Sequence, residues 1–423
     1  MTVKADRVLL QEKEPFTRIA APCPYFGTCG GCSLQDLAYP DQLTLKKQRL
    51  LRILGALDPT LSIEVVGLED PWRYRNKAEL TFSEASPDLL GHSAGTPGSQ
   101  TGGAGGHLTL GYHAARSFWR IVDLEDCLLL PEPMSRLARA VRAFAQRSAQ
   151  PAYNPRRHTG FFRYLVIRAS YATGQLLVCL ITTHGDRRLI EELADTLIAQ
   201  HSDVVSVYWG VNAKVADVAI PDELFLVRGR PYLEDRVGPF AIKLHPFTFL
   251  QPTPVQAQRL YERLSDMASH APSGMAWDLY CGIGLVAFYL ASTYRTVYGI
   301  DSDARNLEMA RLNAQENAIR NTEFHLGRAE DVLANKRFWL TEAKPELVVV
   351  DPPRSGLHPR VIAAVLAARP KQLIYVSCNA QALVRDLAPL LSGFPRYHLR
   401  QTAAFDLFPH TNHLEVLALL ERS

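Results

Sequence analysis

The sequence predicts an α/β protein, with a doubly wound parallel sheet over its second half and an α+β arrangement over its first. Three observations carry that prediction. Short β-like runs at 276–279, 296–300, 347–350 and 373–376 alternate with helical stretches from about 285, at 304–318 and from about 359, the pattern of strand–helix crossovers. The glycine-rich stretch Asp278-Leu-Tyr-Cys-Gly-Ile-Gly284 falls where one of those strands turns into a helix. The chain is 423 residues long, enough for two or three domains with their own cores.

The first half shows no such alternation. Residues 41–57 place Leu43, Leu50, Ile53 and Leu54 at helical spacing. Strands are expected at 77–82, 108–112 and 119–122, a helix at 133–149, strands at 164–169 and 175–182, a helix at 190–200 and a strand at 204–211. Residues 91–106 are almost wholly Gly, Ser, Thr and Ala, too poor in apolar surface to order themselves, so a mobile hairpin loop is expected. Residues 1–22 read as a short polar lead-in. The character of the chain changes near residue 240, which divides it into 1–240 and 241–423.

Composition is that of a globular protein, 47% hydrophobic and 21% charged, with a net charge of +3. No apolar run approaches the roughly 20 residues that span a bilayer, and the N-terminus lacks an apolar signal core. A cytoplasmic protein with no membrane partner is expected. Bulk charge names no partner, but three clusters interleave cations with aromatics or apolar residues. These are Lys46, Lys47, Arg49 and Arg52; Arg73, Arg75 and Lys77 around Trp72 and Tyr74; and Arg156, Arg157, Arg163 and Arg168 around Phe161, Phe162 and Tyr164. Such mixtures suit phosphate contacts with base stacking, and equally suit solvated faces.

Gly282-Ile-Gly284-Leu-Val-Ala287 fits the G-x-G-x-x-A turn that brings backbone and a helix N-terminus close to a ligand. Asp301 ends the next strand, where a carboxylate can accept hydrogen bonds from ribose hydroxyls or cap the helix at 304. A dinucleotide and S-adenosylmethionine compete for such a pocket. The stretch Asp351-Pro-Pro-Arg354 decides for the latter: two prolines fix a rigid carboxylate at a strand end, which hydride transfer does not need.

Cys378 follows the apolar run 373–376 and is flanked by Ser377 and Asn379. A lone cysteine is commonly a small buried hydrophobe. A thiol at a strand end with polar neighbours is also placed to act as a nucleophile. Glu415 supplies a separate acid. Alkylating C5 of a pyrimidine needs such a pair: sulfur adds to C6 to make C5 nucleophilic, and a base then removes the C5 proton.

The seven cysteines are too few for a disulfide scaffold in so long a chain. Cys23, Cys29 and Cys32 form C-x5-C-x2-C, with Gly30 and Gly31 allowing the chain to wrap closely. Cys127 is the candidate fourth thiolate, and from spacing alone zinc and an iron–sulfur cluster are both open. Cys179 and Cys281 read as core or turn residues.

Taken together, several stretches resemble the RNA uracil-C5 methyltransferases, in particular the bacterial ribosomal-RNA branch that carries an iron–sulfur cluster. They are Cys23-Pro-Tyr-Phe-Gly-Thr-Cys29-Gly-Gly-Cys32, Tyr74-Arg-Asn-Lys77, Gly111-Tyr-His113, Phe249-Leu-Gln251, Asp278 to Gly284, Asp351-Pro-Pro-Arg-Ser-Gly356, Val376-Ser-Cys-Asn379 and Phe408-Pro-His-Thr-Asn-His-Leu-Glu415. The resemblance covers nearly the whole chain. It implies a Rossmann-like class I methyltransferase domain over 241–423, and an N-terminal α+β domain over 1–240 that carries an iron–sulfur loop and helps grip RNA. It implies methyl transfer from S-adenosylmethionine to C5 of a uridine in RNA, with 23S ribosomal RNA as the expected substrate. Cys378 is then the nucleophile and Glu415 the base. Gln251, Tyr280, Asp301 and Asp351 contact the cofactor beside Gly282 and Gly284. Cys23, Cys29, Cys32 and Cys127 hold a 4Fe–4S cluster. Two positions depart from the family pattern: Thr253 stands where Asn is usual, and Leu285 where Thr or Asn is common. Many relatives carry an N-terminal RNA-binding barrel, which the 22 residues before Cys23 are not expected to form. The alternatives are a transfer-RNA uridine methyltransferase, an exocyclic-amine methyltransferase that needs no thiol, and a non-catalytic metal-stabilised RNA-binding protein.

Overall fold

The computed structural model describes residues 16–84, 108–117, 119–215, 218–269, 271–335 and 344–423. The loop expected at 91–106 and most of the polar lead-in lie outside the described residues. The first half contains α1 (Tyr39–Leu54), β1 (Glu64–Val66), β2 (Lys77–Glu84), β3 (Leu108–His113), β4 (Ile121–Asp123), α2 (Glu132–Arg147), β5 (Phe162–Ala169), β6 (Leu176–Thr182), α3 (Arg187–Gln200), β7 (Val204–Val211) and β8 (Glu223–Gly229). The hairpin β9 (Leu233–Val237) and β10 (Phe240–Leu244) leads to α4 (Pro254–Met267), β11 (Ala271–Leu279), α5 (Leu285–Leu290), β12 (Tyr294–Asp301), α6 (Ala304–Glu316), β13 (Thr322–Leu326) and α7 (Ala329–Val332). The chain ends with β14 (Leu347–Val350), α8 (Pro359–Ala368), β15 (Gln372–Ser377), α9 (Ala380–Ser392), β16 (Tyr397–Phe405) and β17 (Glu415–Arg422).

The second half builds an eight-stranded sheet in the order β1-β16-β17-β15-β14-β11-β12-β13. Pairing is parallel from β13 through β15 and antiparallel on both sides of β17. The strand order reverses between β11 and β14, the switch point at which open α/β sheets bind ligands. Leu347, Val348, Val349 and Val350 are all fully buried because both faces of that strand are covered. Strand β1 pairs in parallel with β16. The segment α1–β1 therefore joins the C-terminal sheet although it lies far from it in sequence.

The first half builds a seven-stranded sheet, β4-β3-β2-β5-β6-β7-β8, antiparallel except between β6 and β7. Successive residues of β5 feed different cores, as side chains alternate across a strand. Leu165 and Ile167 pack with α2 and α3. Tyr164 and Val166 enter a core that runs through β9, β10 and α4 to Val349, Ile374 and Leu417 of the other sheet. One apolar layer thus joins the two sheets.

The interleaved cation clusters are largely internal. Arg163 and Arg168 are 2% and 1% exposed, and Phe161, Phe162 and Tyr164 are buried with them. Arg163 Nη1 donates to the Asn212 and Lys214 carbonyls. Arg168 donates to the Pro246 and Thr248 carbonyls, tying β5 to the segment before Gln251. Arg73 pairs with Asp126, and Lys77 with Glu79. A basic residue between aromatics reads the same whether it faces RNA or clamps a neighbouring loop. Here most of them clamp. The strand expected at 119–122 also begins later, at Ile121, and leaves Trp119 60% exposed.

Lys46 and Asp406 form an ion pair of 2.7 Å with both side chains fully buried. Burial lowers the Lys46 ammonium and raises the Asp406 carboxyl, while their attraction opposes both shifts. The pair survives because its polar atoms are satisfied. Asp406 also accepts from Tyr39 and the Phe408 amide, and Lys46 donates to the Phe408 carbonyl. Removing one partner strands a buried charge, which costs about 3–5 kcal/mol, whereas replacing both with apolar residues can be neutral. Lys46→Met and Asp406→Leu alone are each expected to lower stability by that amount, and the double variant to recover most of it, as read by urea denaturation.

Candidate active site

Strand β11 ends in a turn whose backbone leaves the ordinary region three times: Tyr280 has φ 67°, Gly282 φ 54° and Gly284 φ 87°. A left-handed tyrosine costs of order 1–3 kcal/mol and persists only where its surroundings fix it. Here its amide and that of Cys281 both donate to the Ile300 carbonyl. Gly284 precedes the first turn of α5, and a Cβ there would meet the rings of Phe288 and Phe324 at 3.0 Å. The turn thus presents backbone to the crevice.

Asp301 ends β12 and holds this turn. Its Oδ2 accepts the Gly282 amide at 2.9 Å, and its Oδ1 accepts the Asp303 amide at 2.8 Å and the Asn306 side chain at 3.3 Å. The α6 cap is Asp303, whose side chain accepts the Arg305 amide, not Asp301. A carboxylate has about four acceptor positions, so Asp301 keeps capacity for a ligand. It lines a cleft of about 720 Å³ with Tyr280, Gly327, Arg328, Ala329 and Glu330. A smaller adjoining cavity is lined by Phe249, Leu250, Tyr280, Gly282 and Asp351. Tyr280 separates the two. Gln251 is buried beside Leu250 but outside both linings. Thr253, in place of the more usual Asn, donates to the Leu407 carbonyl at 2.7 Å.

Asp351 leaves β14 with its amide bonded to the Leu279 carbonyl, so the proline loop starts beside the glycine turn. The loop is clasped from the other side. Leu357 donates its amide to Asp386, and a Cβ at Gly356 would lie 2.4 Å from the Asp386 carboxylate. Cys378 follows β15 on a tight turn. Ser377 and Asn379 bond each other, and Asn379 caps α9 through the Gln381 and Ala382 amides. Its side-chain amide donates to the Arg354 carbonyl, which locks the thiol's turn to the proline loop.

Glu415 begins β17 and is 3% exposed. Burial raises its carboxyl well above the ordinary range. Asp351 raises it further and Arg354 lowers it. Asp351 is pushed up to about 7 by loss of solvent. Burial and mutual repulsion thus both favour the protonated form of Glu415. The Cys378 thiol is raised by burial first and by Glu415 next, while Arg354 pulls it down. Arg354 Nη2 lies 3.1 Å from His413 Nε2. The fold therefore gathers Asp351, Cys378 and Glu415 at one place, the carboxyl ends of β14 and β15 and the start of β17. Sequence reasoning assigned no role to Arg354 or Glu330. The arginine's position in the Asp-Pro-Pro-Arg run was the available signal for the first.

The four N-terminal cysteines also converge. Cys23, Cys29, Cys32 and Cys127 line one pocket with Arg75 and Tyr112. Burial pushes the Cys32 thiol up to about 12 and raises those of Cys29 and Cys127. The Arg75 guanidinium is buried there beside the Tyr74 and Tyr112 hydroxyls and close enough to Cys127 to feel its charge, a setting that favours an anionic group. Among the described residues, no three His, Cys, Asp or Glu side chains are drawn together as a single metal ion needs. The chemistry of the lining, four thiols around one pocket, is that of a thiolate donor set.

The family model described as tRNA (uracil-5-)-methyltransferase matches residues 227–423. An RNA methyltransferase of Listeria monocytogenes serotype 4b is 33% identical over 97% of this chain and 85% of its own. The chain belongs to the RNA uracil-C5 methyltransferase family. An RNA methyltransferase of Halalkalibacterium halodurans is 30% identical over 98% of this chain and 86% of its own. A tRNA (uracil-54, C5)-methyltransferase of Pyrococcus abyssi, solved with S-adenosyl-L-homocysteine, superposes with a TM-score of 0.72 at 28% identity, over 92% of this chain and 85% of that one. The protein is thus an RNA methyltransferase with the α/β class I fold. No helix among the described residues is long and apolar enough to cross a membrane.

Because the Cys378 thiol is raised, its alkylation by iodoacetamide is expected to speed up about tenfold per pH unit until the thiolate dominates. Arg354→Gln removes a cation that lowers it. A pH series of alkylation rates is expected to show the inflection moving to higher pH in that variant.

Proposed function

We propose that the protein methylates C5 of a uridine in RNA through a transient bond between Cys378 and uracil C6. The convergence of Cys378, Asp351 and Glu415 at adjacent strand ends supports this reading most directly. S-adenosylmethionine, when bound, supplies an electrophilic methyl group on a sulfonium sulfur. In this reading the glycine turn, Tyr280, Gln251, Asp301 and Asp351 hold and orient it. The Cys378 thiolate adds to C6, and the electron pair displaced from the C5–C6 bond makes C5 nucleophilic. C5 would take the methyl group with its own electron pair, the S–CH3 pair staying behind on the sulfur of a neutral thioether, and Glu415 would then remove the C5 proton. The electron pair of that C–H bond re-forms C5=C6, and the C6–S bond breaks with its pair returning to Cys378. A raised carboxyl suits this step, since a stronger base better matches a weakly acidic C–H bond.

We assign Cys23, Cys29, Cys32 and Cys127 to a 4Fe–4S cluster, with residues 1–240 as the cluster and RNA-gripping part and 241–423 as the catalytic part. Arg75 and Tyr112 would then face the cluster as donors. Ribosomal RNA, specifically 23S, is the expected substrate from the iron–sulfur character of the N-terminal loop. Transfer RNA is the second reading, favoured by the likeness to the Pyrococcus abyssi enzyme.

RNA containing 5-fluorouridine lacks the abstractable C5 proton, so it is expected to remain bonded to the wild-type enzyme in a denaturing gel. Cys378→Ala is expected to form no adduct. Glu415→Gln is expected to accumulate adduct with ordinary uridine RNA and release product at least 100-fold more slowly. Undiminished methylation by Cys378→Ala would refute the covalent route. Incubation with 23S and transfer RNA separately, followed by mapping of 5-methyluridine, decides the substrate class.

Cys32→Ser is expected to lose the brown absorption and most of the bound iron and sulfide after anaerobic purification. Stoichiometric zinc in the wild type instead would overturn the cluster assignment.

A further inference from the structure

The tip of the β3–β4 hairpin, residues 114–117 with 119 and 120, carries an exposed indole beside exposed cations. Trp119 is 60% exposed. The guanidinium of Arg156 lies 4.7 Å from its ring centroid, at stacking distance. Arg156 and Arg157 project from a turn that Asn154 fixes by accepting both of their amides. Arg116 and Arg120 flank Trp119 in the hairpin and are exposed, as are Arg156 and Arg157. Among the described residues none of these four is joined to a carboxylate. The arginines of nearby α2 behave otherwise: Arg136, Arg139 and Arg142 all pair with acids. Four exposed cations without counter-charge around one bare indole are not what a merely solvated face requires.

The hairpin tip is also held in place. The Gly30 amide donates to the His113 carbonyl at 3.0 Å, and the Ala115 amide to the Thr28 carbonyl at 2.8 Å. A Cβ at Gly30 would lie 2.9 Å from that His113 oxygen, so the cysteine loop approaches the hairpin as closely as a backbone can. The surface is therefore mounted directly on the cysteine loop and does not swing freely.

We propose that Trp119 and Arg156 form a stacking platform for one unpaired base of the RNA substrate, with Arg116, Arg120 and Arg157 neutralising the adjoining phosphates. This rests on the reading of RNA as substrate and adds where a single-stranded segment is gripped away from the catalytic cysteine. An aromatic face accepts any base, and cations at its rim take the backbone. The platform thus supplies affinity for unpaired RNA, and little sequence preference.

The test uses the full-length enzyme and a short fluorescein-labelled single-stranded RNA of mixed sequence. Trp119→Ala is expected to weaken binding about 5- to 150-fold, and Trp119→Phe to restore most of it. Replacing Arg116 and Arg157 with Gln is expected to lower the slope of log affinity against log salt by about two. S-adenosylmethionine affinity by calorimetry and the melting temperature should be unchanged in all three, which separates lost RNA contact from misfolding. Unaltered RNA affinity in Trp119→Ala overturns the platform, as does a variant that binds RNA normally but loses a co-purifying protein. Formation of the 5-fluorouridine adduct by the wild type tells the two proposals apart. If it forms while Trp119→Ala binds normally, only the platform fails. If the wild type neither binds RNA nor forms the adduct, the underlying reading fails.

Discussion

The loop between β16 and β17 is the constraint on which the rest of the structure depends. It leads into Glu415 at the start of β17, beside Asp351 and Cys378, yet it is an irregular segment that would wander if left alone. Four separate parts of the chain pin it. Lys46 pairs with Asp406 from α1, and Thr253 holds Leu407 from the cofactor side. Tyr74 donates to the Pro409 carbonyl. His410, at φ 64°, gives its carbonyl to the Ser33 and Leu34 amides just beyond the cysteine loop. Its ring stacks on Trp72 with centroids 3.8 Å apart. Burial lowers His410 to about 4, so the ring is neutral near pH 7. It then donates from Nε2 to the Pro71 carbonyl and accepts at Nδ1 from the Gln42 amide. Each contact is worth about 1 kcal/mol in isolation. Together they turn a loop into part of the scaffold.

This arrangement explains why the N-terminal half is not an independent attachment. The stretch just after the cysteine loop touches the β16–β17 loop through backbone hydrogen bonds, and α1 reaches it through a buried charge. Strand β1 extends the catalytic sheet at its far edge, and Asn76 bonds the Gln251 carbonyl and the Pro252 carbonyl. The stretch that follows the cysteine loop is therefore in direct contact with the segment that leads to Glu415.

Much of this was legible in the sequence, for identifiable reasons. Strands buried on both faces read as unbroken apolar runs, so β14 and β15 stood out. The glycine turn, Asp351 and Cys378 stood out because strand ends in such folds carry chemistry. Strand β17 did not, because Glu-Val-Leu-Ala-Leu-Leu-Glu-Arg is as good a helix as a strand until β15 and β16 flank it. Helix α4 had a readable signal, Pro254 at its start and Ala257, Leu260, Tyr261 and Leu264 at helical spacing, that strand-centred reading passed over. The cation clusters misled because local composition cannot say which way a side chain points. Lys46, Arg163 and Arg168 serve the interior, and of the third cluster only Arg156 and Arg157 reach solvent.

The electrostatics of the site follow from the same packing. Placing Asp351, Glu415 and Cys378 together in a crevice with little water raises all three, because each ionisation adds negative charge where solvent cannot screen it. Arg354 is the compensating charge, anchored through its carbonyl by Asn379 and through its side chain toward His413. Each of the three is thus biased toward its protonated form, and a protonated thiol is a poor nucleophile. In the route proposed above, Arg354 is thus the group beside Cys378 that favours its thiolate, while burial, Glu415 and Asp351 oppose it.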